Sequence, residues 1–172
     1  MEMSEFVDMV RKHFGLLTDS YGLTIINSSG PTELGDFDVV LGTENCHISF
    51  RTDRGAFQIV VGFKSTPFSY ECTDRPTEKQ LMRWRSYDVW YVTRFLTNGK
   101  ADWVYPWNTL PHEDWKTRLG KEMAKLSIML EPYWKQILDF SSDEKINEKQ
   151  KDLREFIEKS RKEQGVMAPL GR

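Results

Sequence analysis

Few side chains in this sequence have chemistry beyond packing: His13, His47 and His112, Cys46 and Cys72, the acids Asp36 and Asp38, and an aromatic cluster around Trp103. The histidines are far apart, and no two share the close helical or hairpin spacing that preorganises a metal. His47 follows Cys46 on an expected strand, where neighbours point to opposite faces. The sequence therefore predicts neither a metal site nor a cofactor. The cysteines lack CxxC spacing, and Cys46 is expected to pack as a small, reduced hydrophobe. His112-Glu113-Asp114, just after Pro111, has two readings. Acids at a helix start answer the positive end of its dipole. The alternative is a general acid–base histidine with carboxylates, in a small-molecule or nucleotide-handling enzyme. Too few site features accompany His112 for the catalytic reading to lead.

Asp36 and Asp38 flank Phe37 on one side of an expected strand. Such a pair can hold a cation or share a proton, but it more often marks a solvated sheet edge, where charge discourages strand addition. Arg83-Trp84-Arg85, with Arg94 and Lys100, suggests phosphate contacts and base stacking. A pI near 6.0 and the lack of any RRM, KH or zinc-finger motif count against nucleic acid. The strongest anomaly is Trp103, Tyr105 and Trp107, within five residues around Pro106. Loops lie on the surface, and Trp and Tyr are enriched at interface hot spots. These three are the candidate binding site, against the competing reading that the loop folds back over the core.

The elements that must position these residues follow from periodicity. Residues 37–63 read as three strands, with turns at 42–45 and 53–55. Phe37, Val39 and Leu41 alternate with wetter positions, as do Cys46, Ile48 and Phe50, and Phe57, Ile59, Val61 and Phe63. Residues 21–28 add a strand, making an antiparallel meander of about four. Before it, Ser4 is a plausible N-cap for a helix with Phe6, Val7, Val10 and Phe14 on one face, stopped by Gly15. After it, Thr77 opens a capping box with Gln80, and Asn98-Gly99 closes that segment. Residues 87–96 suit helix or strand. From Pro111, Trp115, Leu119, Met123, Leu126, Leu130 and Trp134 recur three or four apart, and Pro132 should kink or divide the helix. Ser141 to Glu144 reads as a second capping box, opening a helix with Ile146, Gln150, Leu153, Phe156 and Ile157 as a narrow stripe. That stripe could pack on its own domain or on a second copy, giving a homodimer.

The fold class predicted is α+β: an antiparallel sheet covered by helices, with a C-terminal helical extension. Residues 1–140 form the α+β domain, 141–164 the charged helix and 165–172 a flexible tail. Residues 1–6 carry no basic and apolar leader, and no apolar run approaches a membrane span, which predicts a cytoplasmic protein. Residues 1–76 hold eleven acids against six bases, and residues 77–172 fifteen against eighteen. The acidic half suits a basic partner.

The amphipathic first helix, the strand start at Tyr21-Gly22-Leu23 and the turn at Asp53-Arg54-Gly55 together resemble small bacterial α+β proteins of the polymorphic-toxin immunity type. The resemblance covers residues 5–63. It implies a non-catalytic cytoplasmic protein that binds another protein and blocks a toxin, and it names no interface residues. Protein binding by aromatic anchors, through steric occlusion, is the function expected.

Overall fold

The chain is described by a computed structural model over residues 1–32, 35–53, 56–63, 86–101, 103 and 114–163. Helix α1 (Met3–Asp19) starts earlier and ends later than its sequence suggests. Its N-cap is Glu2, whose backbone N–H donates to the Glu5 carboxylate at 2.8 Å, so Ser4 lies inside the first turn. Gly15 does not stop it. The chain kinks at Phe14 (φ −118°, ψ 22°) and continues, because Phe14 and Leu17 are both buried. Burying such a side chain yields about 1.5–3 kcal/mol, more than the roughly 1 kcal/mol that a helical glycine costs.

Strands β1 (Thr24–Ser29), β2 (Asp38–Gly42), β3 (Cys46–Asp53), β4 (Ala56–Phe63) and β5 (Ser86–Asp88) form an antiparallel sheet in that order. The fifth strand is the addition to the expected four. Val39 sits opposite Phe50, and Phe50 opposite Ile59. Leu41, Ile48, Val61 and Tyr87 form the next row across β2 to β5. These residues share one face and are buried under the helices. Phe14 lies 4.5 Å from the Phe50 ring and meets Trp134 edge-on at 6.5 Å. Phe37 stacks on Trp115 at 6.2 Å, and Phe63 meets Phe140 at 5.1 Å.

Residues 87–96 prove to be both strand and helix. Tyr87 pairs with Val61, and Asp88 then caps α2 (Val89–Leu96) by accepting from the Trp90 N–H at 2.8 Å. Asn98 (φ 52°) and Gly99 (φ 81°) end it in left-handed conformation, Gly99 N–H reaching the Arg94 carbonyl at 2.7 Å. Helix α3 (Trp115–Leu130) is capped by Asp114, which accepts from the Thr117 N–H at 3.1 Å. Pro132 divides the long amphipathic segment as expected. A 3-10 turn (Glu131–Tyr133) separates α3 from α4 (Trp134–Ser141). Ser141 closes α4 instead of opening the next helix, its hydroxyl donating to the Leu138 carbonyl at 2.7 Å. Asp143 takes that capping role, accepting from the Lys145 N–H at 2.8 Å ahead of α5 (Ile146–Glu163). The α5 stripe packs into the same core: Leu153 and Gln150 are fully buried, and the Tyr87 hydroxyl donates to Gln150 Oε1 at 3.3 Å. The capping box at Thr77 and the tail at 165–172 lie outside the described residues.

The second face of the sheet was expected to be wetter, yet Val40, Ser49 and Val60 are buried there too. Two glycines of that face are overlaid by longer neighbours. Ile26, at a bulge in β1, lies over Gly42, and the His47 imidazole lies over Gly62. A methyl on Gly62 would overlap that ring. Gly62→Ala is therefore expected to cost about 1–3 kcal/mol in urea unfolding. His47→Ala should relieve part of that loss in the double variant, the coupling exceeding about 0.5 kcal/mol.

Candidate functional site

Side chains that could carry a site fall into three places. On the second face of the sheet, β2 and β3 bring Asp38, Ser49 and Arg51 together, because Asp38 sits opposite Arg51, while His47 lies at the other end of the same pairing, opposite Gly42. The Ser49 hydroxyl donates to Asp38 Oδ1, and Arg51 Nε donates to Gln58 Oε1 at 3.2 Å. Burial raises the Asp38 carboxyl above its ordinary range, against the Ser49 hydrogen bond and the nearby Arg51 charge. Strand β2 lies between β1 and β3, so Asp38 is not on a solvated sheet edge. Burial alone drives the His47 imidazole down to about 4 from an ordinary 6.5, which leaves it neutral and unable to hold a proton near neutrality. Cys46 faces the other way, into the core, where burial pushes its thiol up to about 12. It is a packing residue, not a nucleophile. Among the described residues no three His, Cys, Asp or Glu side chains gather as metal ligands.

The second place is the start of the aromatic segment. Trp103 is 6% exposed. Its Nε1 donates to Thr93 Oγ1 at 3.0 Å, and its carbonyl accepts from Trp90 Nε1 at 2.7 Å. Two long-range hydrogen bonds thus pin the residue onto α2, and its ring belongs to the core rather than to a surface. Tyr105 and Trp107 lie outside the described residues, as do His112, Glu113, Cys72 and Arg83-Trp84-Arg85. Asp114, the remaining acid of the His112 cluster, is engaged as the α3 cap, and its hydrogen bonds with Thr117 hold its carboxyl below the usual range.

The third place was not singled out from sequence. Ile128 on α3 is 72% exposed and Leu16 on α1 is 37% exposed. Both line a shallow cleft of about 120 Å³ with the buried rings of Phe14 and Trp134 and the polar groups of His13, Ser127 and Glu131. A signal was available. Ile128 falls off the stripe formed by Leu119, Met123, Leu126 and Leu130, so it is a large apolar residue on the polar side of an amphipathic helix. Leu16 follows Gly15, the residue read as the helix stop, and so was not placed on α1. His13 beside them is held below its ordinary value, first by burial and then by Lys12.

Comparison with protein-family models, with curated proteins and with solved structures finds no match. Among the described residues no helix is long and apolar enough to cross a membrane.

Two outcomes follow from this geometry. Trp103→Ala should cost about 3–5 kcal/mol, read as a lowered thermal midpoint, because it removes a buried indole together with its hydrogen bond. The second concerns pH. Unfolded His47 takes up a proton near 6.5 while the folded chain resists until about 4, so its stabilisation is complete above 6.5 and lost as pH falls to 4. Asp38 and Glu122, both raised first by burial, act in the opposite sense: their stabilisation is present at low pH and lost as pH rises through their folded values. Chemical denaturation between pH 7 and 4 should therefore show a steeper loss for the native chain than for His47→Gln, the difference reaching at most about 3 kcal/mol.

Proposed function

We propose that this chain is a non-catalytic protein-binding module of the immunity-like kind, acting in the cytoplasm by covering a surface of its partner. The observation that carries this reading is the exposed pair Ile128 and Leu16 beside the α1–α3 cleft. A projecting isoleucine beside a small cleft offers complementary shape: the knob enters the partner, and a partner side chain enters the cleft. The walls of that cleft, Phe14 and Trp134, are fixed in the core, so little side-chain freedom is lost when a partner settles there. The acidic balance of residues 1–76 suits a basic partner, acting chiefly through association rate and selectivity. Tyr105 and Trp107 complete the proposed aromatic anchors, while Trp103 serves by fixing the base of their segment on α2.

The test is affinity capture from the host's own lysate, run with the native chain, Ile128→Glu, and Tyr105→Ala with Trp107→Ala. At 72% exposure Ile128 is a surface position, where substitution shifts stability by less than about 0.5 kcal/mol. One stoichiometric protein on the native chain, lost with Ile128→Glu, is the expected result. Equal recovery on both forms would remove the cleft as the site, and no recovery on either would remove protein binding itself. The paired aromatic variant reports whether that segment shares the contact.

A further inference from the structure

A second surface lies where α5 packs on α2 through Phe95 and Phe156, 5.7 Å apart. Four side chains are stacked in series there. The Arg94 guanidinium lies 4.7 Å from the Trp90 ring centroid. Trp90 meets Tyr91 edge-to-face at 4.9 Å, and Arg161 lies 5.6 Å from the Tyr91 ring. All four are half-buried. Neither arginine takes part in an ion pair among the described residues. Arg94 Nε is buried without a hydrogen-bond partner. A guanidinium donor left unsatisfied in a low-dielectric setting is costly, and natural structures normally satisfy such groups with water or an ion.

We infer that this Arg94–Trp90–Tyr91–Arg161 stack is a docking surface for an acidic segment of a partner protein. The inference rests on the protein-binding reading but uses a different face of the molecule. Charge decides the kind of partner. Two guanidiniums are held against aromatic rings and form no ion pair among the described residues, in the half of the chain with more bases than acids. Carboxylates match the two-pronged donor geometry of arginine, and the half-buried guanidiniums leave room for one to meet them at the surface. Arg, Trp and Tyr are also the residue types on which interface energy concentrates. Single-stranded nucleic acid fits less well. Each ring has one face taken by a guanidinium, and the edge-to-face contact takes another, so few ring faces remain for stacking bases.

The probe is a fluorescein-labelled hexaglutamate peptide, followed by anisotropy at low and at physiological salt, with an unlabelled oligothymidylate as competitor. The native chain should bind the peptide. Arg94→Ala with Arg161→Ala should weaken binding by roughly tenfold or more, since truncating charges in desolvated contacts acts strongly. Arg94→Lys with Arg161→Lys should fall between, because charge remains while the two-pronged geometry is lost. Far-UV melting checks each fold, and if the alanine pair unfolds, the lysine pair decides. Absence of peptide binding, equal binding by the variants, or stronger binding of oligothymidylate with the same arginine dependence would each overturn the inference. Lysate capture sensitive to Ile128→Glu would persist in that event, so failure here leaves the protein-binding reading standing.

Discussion

The structure turns on burying one face of the meander, and Phe14 is the side chain through which that happens. Its ring packs with Phe50 and Phe57 from the sheet and Trp134 from α4, so α1, the sheet and α4 meet on it. To reach that position the backbone leaves helical geometry at Phe14 and resumes it afterwards. The kink aims Phe14 at the sheet while Leu17, on the following turn, also reaches the core. Phe6, Val10, Phe14 and Leu17 follow one another at spacings of four, four and three, so one face of α1 carries them all into the core. A sheet with one apolar face requires such a cover.

The second face follows a different rule. It carries Gly42 and Gly62, each overlaid by a longer side chain, Ile26 and His47, beside the buried Val40, Val60 and Ser49. The register places the ionisable residues there, with Asp38 opposite Arg51 and His47 opposite Gly62. Their titration is set mainly by removal from water, which keeps the imidazole neutral and moves the Asp38 carboxyl towards its protonated form. This is chemistry shaped by packing, and it gives no proton-transfer pair.

Much of this architecture was legible in the sequence because it is local. Alternation at 37–63 located three strands, and the division at Pro132 followed from ring sterics. What escaped was decided by partners distant in sequence. Ser141 could open or close a helix, and its proximity to Cys46 in the core favoured closing. Trp103 had the composition of a surface loop, but its two hydrogen bonds run to α2 ten and thirteen residues away. Gly15 carries a true helix-stopping preference that burial of Leu17 overrides. The exposed Ile128 is the opposite case: it was visible as an off-stripe residue but was masked by the regular stripe beside it.

The Tyr87–Gln150 hydrogen bond joins β5 to α5 across sixty-three positions. Its consequence is an order of assembly. Strands β2, β3 and β4 each pair with the strand before them and can form as they emerge from the ribosome, with α1 already available as a first cover. The lower end of the sheet, at Phe63 and Tyr87, stays open until Phe140 and then Gln150 and Leu153 have been synthesised. A nascent chain stalled before about residue 140 would display an apolar sheet end, the kind of surface that chaperones hold and that nucleates aggregation. The charged helix α5 therefore closes that end of the sheet late in synthesis, and truncations that remove it should be judged by the fate of newly made chains as much as by the stability of finished ones.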